Sequence, residues 1–194
     1  MEDITTRFRH LFEVISTDDF INKKSLGGEI PFYIKAYDAK QEVEIVIAIK
    51  LLKNKLETKG VKVLELNLYD IVCEILEEKG GMDRMFTIEK TKNKEKFLRA
   101  LQSTLNIHET LMPRIKTKIA ENESNVYFLT GIGLVFPYIR SHNILNNLQN
   151  IAKEAPTVTF FPGDYNGNTL KLFGILKDDN YYRAFNIDNI EVKP

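Results

Sequence analysis

Hydrophobic and polar positions recur along this chain with two different periods, and the switches between them divide it into strands and helices. Residues 30–37 (IPFYIKAY) are rich in aromatic and β-branched side chains, with a proline tolerable near a strand start, and they predict a strand. Residues 43–59 then place Ile45, Ile49, Leu52 and Leu56 at helical spacing, with Lys and Glu between them and Gly60 as a C-terminal stop. The first half of that segment, EVEIVIAI, also alternates as a strand does, which leaves the start of the helix open. Residues 61–69 (VKVLELNLY) alternate apolar and polar side chains and predict a second strand, bounded by Gly60 and Asp70. Asp70 fits an N-cap, Ile71, Val72, Ile75 and Leu76 supply an apolar helical face, and Gly80-Gly81 ends the helix. Residues 82–93 are charged and poorly periodic and read as a surface connection. Phe97, Leu101 and Leu105 line the next helical face, and Leu111, Ile115 and Ile119 line another that Pro113 opens or kinks.

Residues 126–130 (VYFLT) and 157–161 (TVTFF) are short apolar runs of the kind found in central strands of a parallel sheet. A parallel pair needs a crossover of about a dozen residues or more, which the helical sequence of residues 134–155 supplies. The earlier strands are likewise spaced by helices. The pattern predicts an α/β fold, a three-layer sandwich with a mostly parallel central sheet flanked by helices. With no linker, repeat or low-complexity tract, residues 1–194 are expected to form a single α/β domain. Past Phe161 the sequence turns aromatic and turn-rich (PGDYNGN, LKLFG, NYYRAFNI), as short strands or loops near one sheet edge would.

Composition adds limits. A hydrophobic share of 43%, with 12 Phe and 8 Tyr, can fill a core of this size without disulfides. Cys73 is the only cysteine, so one chain can build neither an internal bridge nor a cysteine-rich zinc cage, and a reducing cytoplasm fits. The opening MEDITTRFRH lacks the pattern of a secretory signal, and no apolar segment is long enough to span a bilayer. The expected location is therefore the cytoplasm, away from membranes. Because 27 basic residues balance 27 acidic ones, tight binding to nucleic acid is not expected of the whole surface.

Standard catalytic motifs are missing. No Walker A loop occurs; the nearest feature is Gly131-Ile132-Gly133, between a predicted strand and a helix, where backbone amides face an anion if a phosphate binds at all. Phe136 occupies the place of the third fingerprint glycine, and a structural turn is the simpler reading of Gly131 and Gly133. Asp164, Asn166 and Asn168 imitate half a calcium loop, but Thr169 and Ile175 stand where its Gly and Glu belong, so turn chemistry is favoured. His10, His108 and His142 share no ligand spacing, Cys73 reads as a small core residue, and Asp178-Asp179 reads as a solvated turn. Lys90, Lys92, Lys94 and Lys96, or Arg114, Lys116 and Lys118, are the basic clusters a nucleic acid would use, diluted by Glu89, Glu95 and Glu121. No catalytic residue, metal or cofactor is assigned.

One segment departs from surface-helix composition. In residues 140–150 (RSHNILNNLQN), Ile144, Leu145, Leu148 and Ile151 form an apolar stripe, while the other faces carry amides where Lys and Glu are usual. Amides both donate and accept, which suits either a partner surface or the pinning of a neighbouring loop. Arg140, Asn143, Asn146 and Asn147 are the candidate partner-binding residues.

Three blocks, GIGLVFPYIRSHNILNNLQ (residues 131–149), FFPGDYNG (160–167) and LFGILKDDNYYRAF (172–185), together resemble the BrxB family. VLELNLYDIVCEILEEKG (63–80) and LRALQS (98–103) agree with it in place and order. The resemblance implies membership of a BREX phage-defence locus, alongside a DNA methyltransferase, a large ATPase and the phosphatase-like protein PglZ. It implies a non-catalytic accessory subunit, needed for host DNA methylation and phage restriction, with PglZ as direct partner and the ATPase or methyltransferase as further candidates. A homodimer is compatible with the sequence. The alternatives within the same system are a degenerate nucleotide-binding domain and a weak DNA-binding subunit.

Overall fold

A computed structural model describes residues 3–22, 31–177 and 182–192 of the chain. It is an α/β structure built on one seven-stranded sheet among these residues. The main path runs β2 (Val63–Asn67), β3 (Val126–Thr130), β4 (Thr157–Tyr165), β1 (Phe32–Tyr37), β7 (Phe185–Asn186), and its neighbours are parallel throughout. The short β5 (Leu170–Leu172) and β6 (Leu176–Lys177) hang antiparallel from the far end of β4. These are the short strands expected at the aromatic C-terminal region, and β7 takes the sheet edge beside β1. The expected first position of β1, Ile30, lies outside the described residues.

Period-two alternation divides the strand side chains between two cores. Phe32, Ile34, Leu66, Tyr127, Leu129 and Phe161 point to one face, and Tyr33, Tyr37, Val63, Phe128, Val158 and Phe160 to the other. The first face is covered by α4 (Leu68–Glu78), α5 (Met82–Thr91), α6 (Lys94–Thr104), α7 (Met112–Ala120) and α8 (Ser141–Ile151). The second is covered by α1 (Ile4–Ile15) and α3 (Glu42–Thr58), with α2 (Asp18–Ile21) adding Phe20. The predicted three layers are present.

Several local expectations are corrected. The N-cap of α4 is Asn67 rather than Asp70: its Oδ1 accepts from the Tyr69 amide at 3.0 Å and the Asp70 amide at 3.3 Å, so strand passes into helix with no intervening loop. Residues 82–91 form α5, not a connection; only Met85 is buried there, which is why periodicity was too weak to predict it. The segment 134–155 contributes α-helix only over Ser141–Ile151, after a short 3-10 turn at Gly133–Val135. The helical face of α1 (Phe8, Leu11, Val14, Ile15) had no counterpart in the sequence reading, yet it forms half of the second layer. The uncertain start of α3 resolves as helix from Glu42, with Ile45, Ile49, Leu52 and Leu56 buried as spaced.

Two features of the sheet interior are energetically unusual. Lys35, in the middle of β1, is 1% exposed, and its ammonium ion-pairs with Asp188 in the 3-10 turn Ile187–Asn189. The pair ties the C-terminal segment to the sheet, and Arg7 of α1 adds a hydrogen bond to the Ala36 carbonyl at 3.0 Å. Thr157 and Thr159 of β4 are fully buried between apolar strand neighbours, and their hydroxyls have no hydrogen-bond partner among the described residues. A buried hydroxyl without a partner costs about 1–3 kcal/mol. Thr159→Val keeps the branched shape and removes that group, so it is expected to stabilise the protein by about 1 kcal/mol. Equilibrium urea unfolding checks this, and a loss of stability would show that the hydroxyl has a partner.

A candidate partner-binding cleft on the helical layer

The amide-rich segment begins where extended backbone passes into helix. Arg140 is the N-cap of α8, in extended conformation, and its side chain makes no capping hydrogen bond. Ile144, Leu145 and Leu148 are completely buried, as the stripe predicted, which fixes the rotation of α8 and turns Asn143 and Asn147 toward the end of α6. From the other side, Asn106 follows α6 and caps the π-turn Ile107–Leu111, its Oδ1 accepting from the His108 amide at 3.0 Å and the Glu109 amide at 3.1 Å. Between the two lies a cleft of about 360 Å³ whose polar walls are Gln102, Asn106, His108, Arg140, Asn143 and Asn147.

Three of the four residues singled out in the sequence, Arg140, Asn143 and Asn147, therefore share one cleft. Asn146 does not: it is exposed on the outer face of α8, one helical step away. Pinning of a loop also occurs, by a different amide, since Gln149 donates to the Arg183 carbonyl at 3.1 Å. Within the cleft, Asn147 donates to the Asn143 carbonyl at 2.7 Å. The Arg140 guanidinium, exposed, makes no hydrogen bond or ion pair among the described residues. Its planar fork is thus available for a carboxylate, with neighbouring amides to complete the contact.

Tyr138, at the floor of the cleft, donates to the Leu134 carbonyl at 3.2 Å. Burial, then the neighbouring Tyr69 and Cys73, pushes its phenol up to about 12, so the hydroxyl stays protonated. Cys73 is half-buried beside Tyr69 rather than sealed in the core as the sequence suggested. Sequence reasoning missed Gln102, Asn106, His108 and Tyr138; only Asn106 carried a local signal, as a capping residue ahead of a turn.

The carboxyl edge of the sheet, where ligands bind in many parallel α/β folds, is nearly closed. Its crevice, between Tyr37, Asn67, Thr130, Gly131 and Leu134, holds about 40 Å³. Gly131 has φ +73°, and a side chain there would meet Asn67 Oδ1 at 2.6 Å; one at Gly133 would meet Phe173 at 2.9 Å and Pro162 at 3.0 Å. Both glycines thus have packing reasons to be glycine, and they lead into a three-residue 3-10 turn instead of the helix expected.

Other candidates resolve locally. Asn166 Oδ1 accepts from the amides of Asn168 at 3.0 Å and Thr169 at 2.8 Å, which is turn chemistry. Arg114 pairs with Glu78 and Glu74, and Lys118 with Glu74 at 2.9 Å, so α4 offsets this basic cluster; the Arg114 guanidinium also holds the Glu78 carboxyl below its ordinary value. No group of three or more His, Cys, Asp or Glu converges as a metal site among the described residues, and Asp178-Asp179 lies outside them. No helix among the described residues is long and apolar enough to cross a membrane.

Fold and cleft together define a parallel-sheet α/β protein that presents a polar, amide-lined recess on one helical layer. Comparison with known sequences gives the family: the family model described as BREX protein BrxB matches residues 64–187. A BREX protein BrxB from Bacillus cereus (strain H3081.97) is 39% identical over 191 residues, covering 96% of this chain and 98% of that protein. A BREX protein BrxB from Escherichia coli O9:H4 (strain HS) is 31% identical over 173 residues, covering 89% and 86% respectively. No solved structure matches the chain. The chain belongs to the BrxB family, which makes it a component of a BREX system.

The packing of α8 separates residues that hold the fold from residues that face the cleft. Leu148→Ala is expected to cost about 2–5 kcal/mol. Arg140→Ala, which loses no hydrogen bond or ion pair among the described residues, should stay within about 0.5 kcal/mol of the parent. Urea unfolding of both variants checks the distinction, and a large loss in Arg140→Ala would make its guanidinium part of the fold.

Proposed function

We propose that this protein is a non-catalytic adaptor subunit of a cytoplasmic BREX system that engages PglZ through the amide-lined cleft, and so supports host DNA methylation and phage restriction. The observation that carries the reading is the convergence of Arg140, Asn143 and Asn147 on one cleft from a helix whose Ile144, Leu145 and Leu148 are fully buried. Groups already used by the core are not free to bind, whereas the Arg140 guanidinium makes no hydrogen bond or ion pair among the described residues and Asn147 spends only one amide hydrogen, on the Asn143 carbonyl. A cleft wall of amides and one exposed guanidinium suits a partner segment that brings backbone groups and a carboxylate, and desolvating such groups against a wrong partner is costly enough to give specificity.

The alternatives have less behind them. A nucleotide pocket commonly holds about 300–1,000 Å³, far above the roughly 40 Å³ available beside Gly131. Duplex binding has to overcome zero net charge and a basic cluster whose Arg114 and Lys118 are already ion-paired.

Capture of PglZ by the tagged protein tests the proposal. Arg140→Ala and Asn143→Glu are expected to weaken capture about tenfold or more, equivalent to about 1.4 kcal/mol, with unchanged melting temperature. Asn146→Glu, outside the cleft, serves as the comparison and should retain capture. Equal capture by all three variants would remove the cleft from the interface.

A further inference from the structure

α3 is apolar on two opposite faces. One face, Ile45, Ile49, Leu52 and Leu56, is buried against the sheet. The other carries Val43 (71% exposed), Val46 (54%), Ile47 (57%) and Leu51 (56%), and it continues to the exposed Leu134, which lines the same crevice as Val46. Val43, Ile47 and Leu51 follow one another at four-residue intervals, so they form a ridge, with Lys50 and Asn54 on the same side. Scattered exposed hydrophobics are ordinary; a contiguous apolar ridge on one helix marks an interaction surface.

The charges along α3 indicate what covers it. Glu42 and Glu44 occupy the first turn, Lys50, Lys53 and Lys55 the second half and Glu57 the end, so the helix is acidic at its start and predominantly basic toward its close. A helix with that gradient and a central apolar ridge is complementary to itself when reversed. We propose that α3 is a two-fold interface with a second copy of this chain, the two α3 helices packing antiparallel. With the two-fold axis near residue 49, Ile47 lies against Leu51 of the second copy and Glu44 alongside its Lys55, and each contact occurs twice because the interface is isologous. The antiparallel helix dipoles add to the attraction.

This inference does not depend on the partner assigned to the cleft. The helix α3 belongs to the layer on one side of the sheet, and the Arg140 cleft to the layer on the other. Pairing through α3 therefore leaves both clefts open, which gives a dimer with two outward recesses.

Sedimentation equilibrium of the full chain up to about 100 μM, with melting temperatures of every variant, is the test. The parent protein is expected to dimerise, and Ile47→Glu, at an exposed position, to raise the dissociation constant at least about tenfold without lowering the melting temperature. Glu44→Lys and Lys55→Glu should each weaken the dimer, and the double variant should recover it, a result that does not rely on Ile47→Glu folding well. A parent that stays monomeric throughout would overturn the proposal, including the case in which Ile47→Glu then loses capture of PglZ and assigns the ridge to that protein. A dimer indifferent to Ile47→Glu, or a double variant no tighter than the singles, would overturn it equally.

Discussion

The central strands of the sheet have no face that tolerates water. Every residue of β3 and the first seven of β4 are buried, so both sides of the central strands must be covered by helix. Parallel pairing imposes the same demand through connectivity, because each return to the start of a neighbouring strand needs a crossover. The route from β1 to β2 takes α3 across one face; the routes from β2 to β3 and β3 to β4 take α4–α8 across the other. The face that α3 covers would remain thin without α1, which packs against α3 and brings Arg7 to the β1 backbone. Lys35 is tolerated within that thinner layer because Asp188 meets its ammonium from the C-terminal turn; a buried ammonium with no counter-ion is far costlier.

This covering also explains where polar chemistry can reside. At the carboxyl edge, Asn67 and Gly131 are in close contact and Phe173 folds over Gly133, so the usual ligand position is occupied by the protein's own side chains. Polar side chains gather instead where α6 ends and α8 begins, where a helix terminus and a π-turn leave a cleft between them. The opposite layer offers a different surface, the ridge on α3, which is apolar. Two chemically distinct surfaces on opposite sides of one sheet suit a protein that works by holding others.

Periodicity identified the elements that bury a full face. Residues 126–130 and 157–161 are strands because continuous apolar sequence is what a doubly covered strand requires, and the stripe of α8 is buried at Ile144, Leu145 and Leu148 and half-buried at Ile151. α5 was illegible for the converse reason: with Met85 as its one buried side chain, its sequence carries almost no pattern. The ambiguity of EVEIVIAI has a physical origin too. A helix with apolar residues on both faces alternates like a strand, so the same signal that blurred the secondary structure marks the exposed ridge.

Sequence alone determined the fold class, the family resemblance and the unusual amide content of residues 140–150, because each is written in local composition and spacing. Only tertiary structure decided which amides act together. Asn146 and Asn147 are adjacent in sequence, but the burial of Leu145 and Leu148 rotates α8 so that Asn147 enters the cleft and Asn146 does not. Gln102, Asn106 and His108 join them across more than thirty residues of chain, an encounter set by how α6 and α8 pack on the sheet, which no short-range pattern encodes.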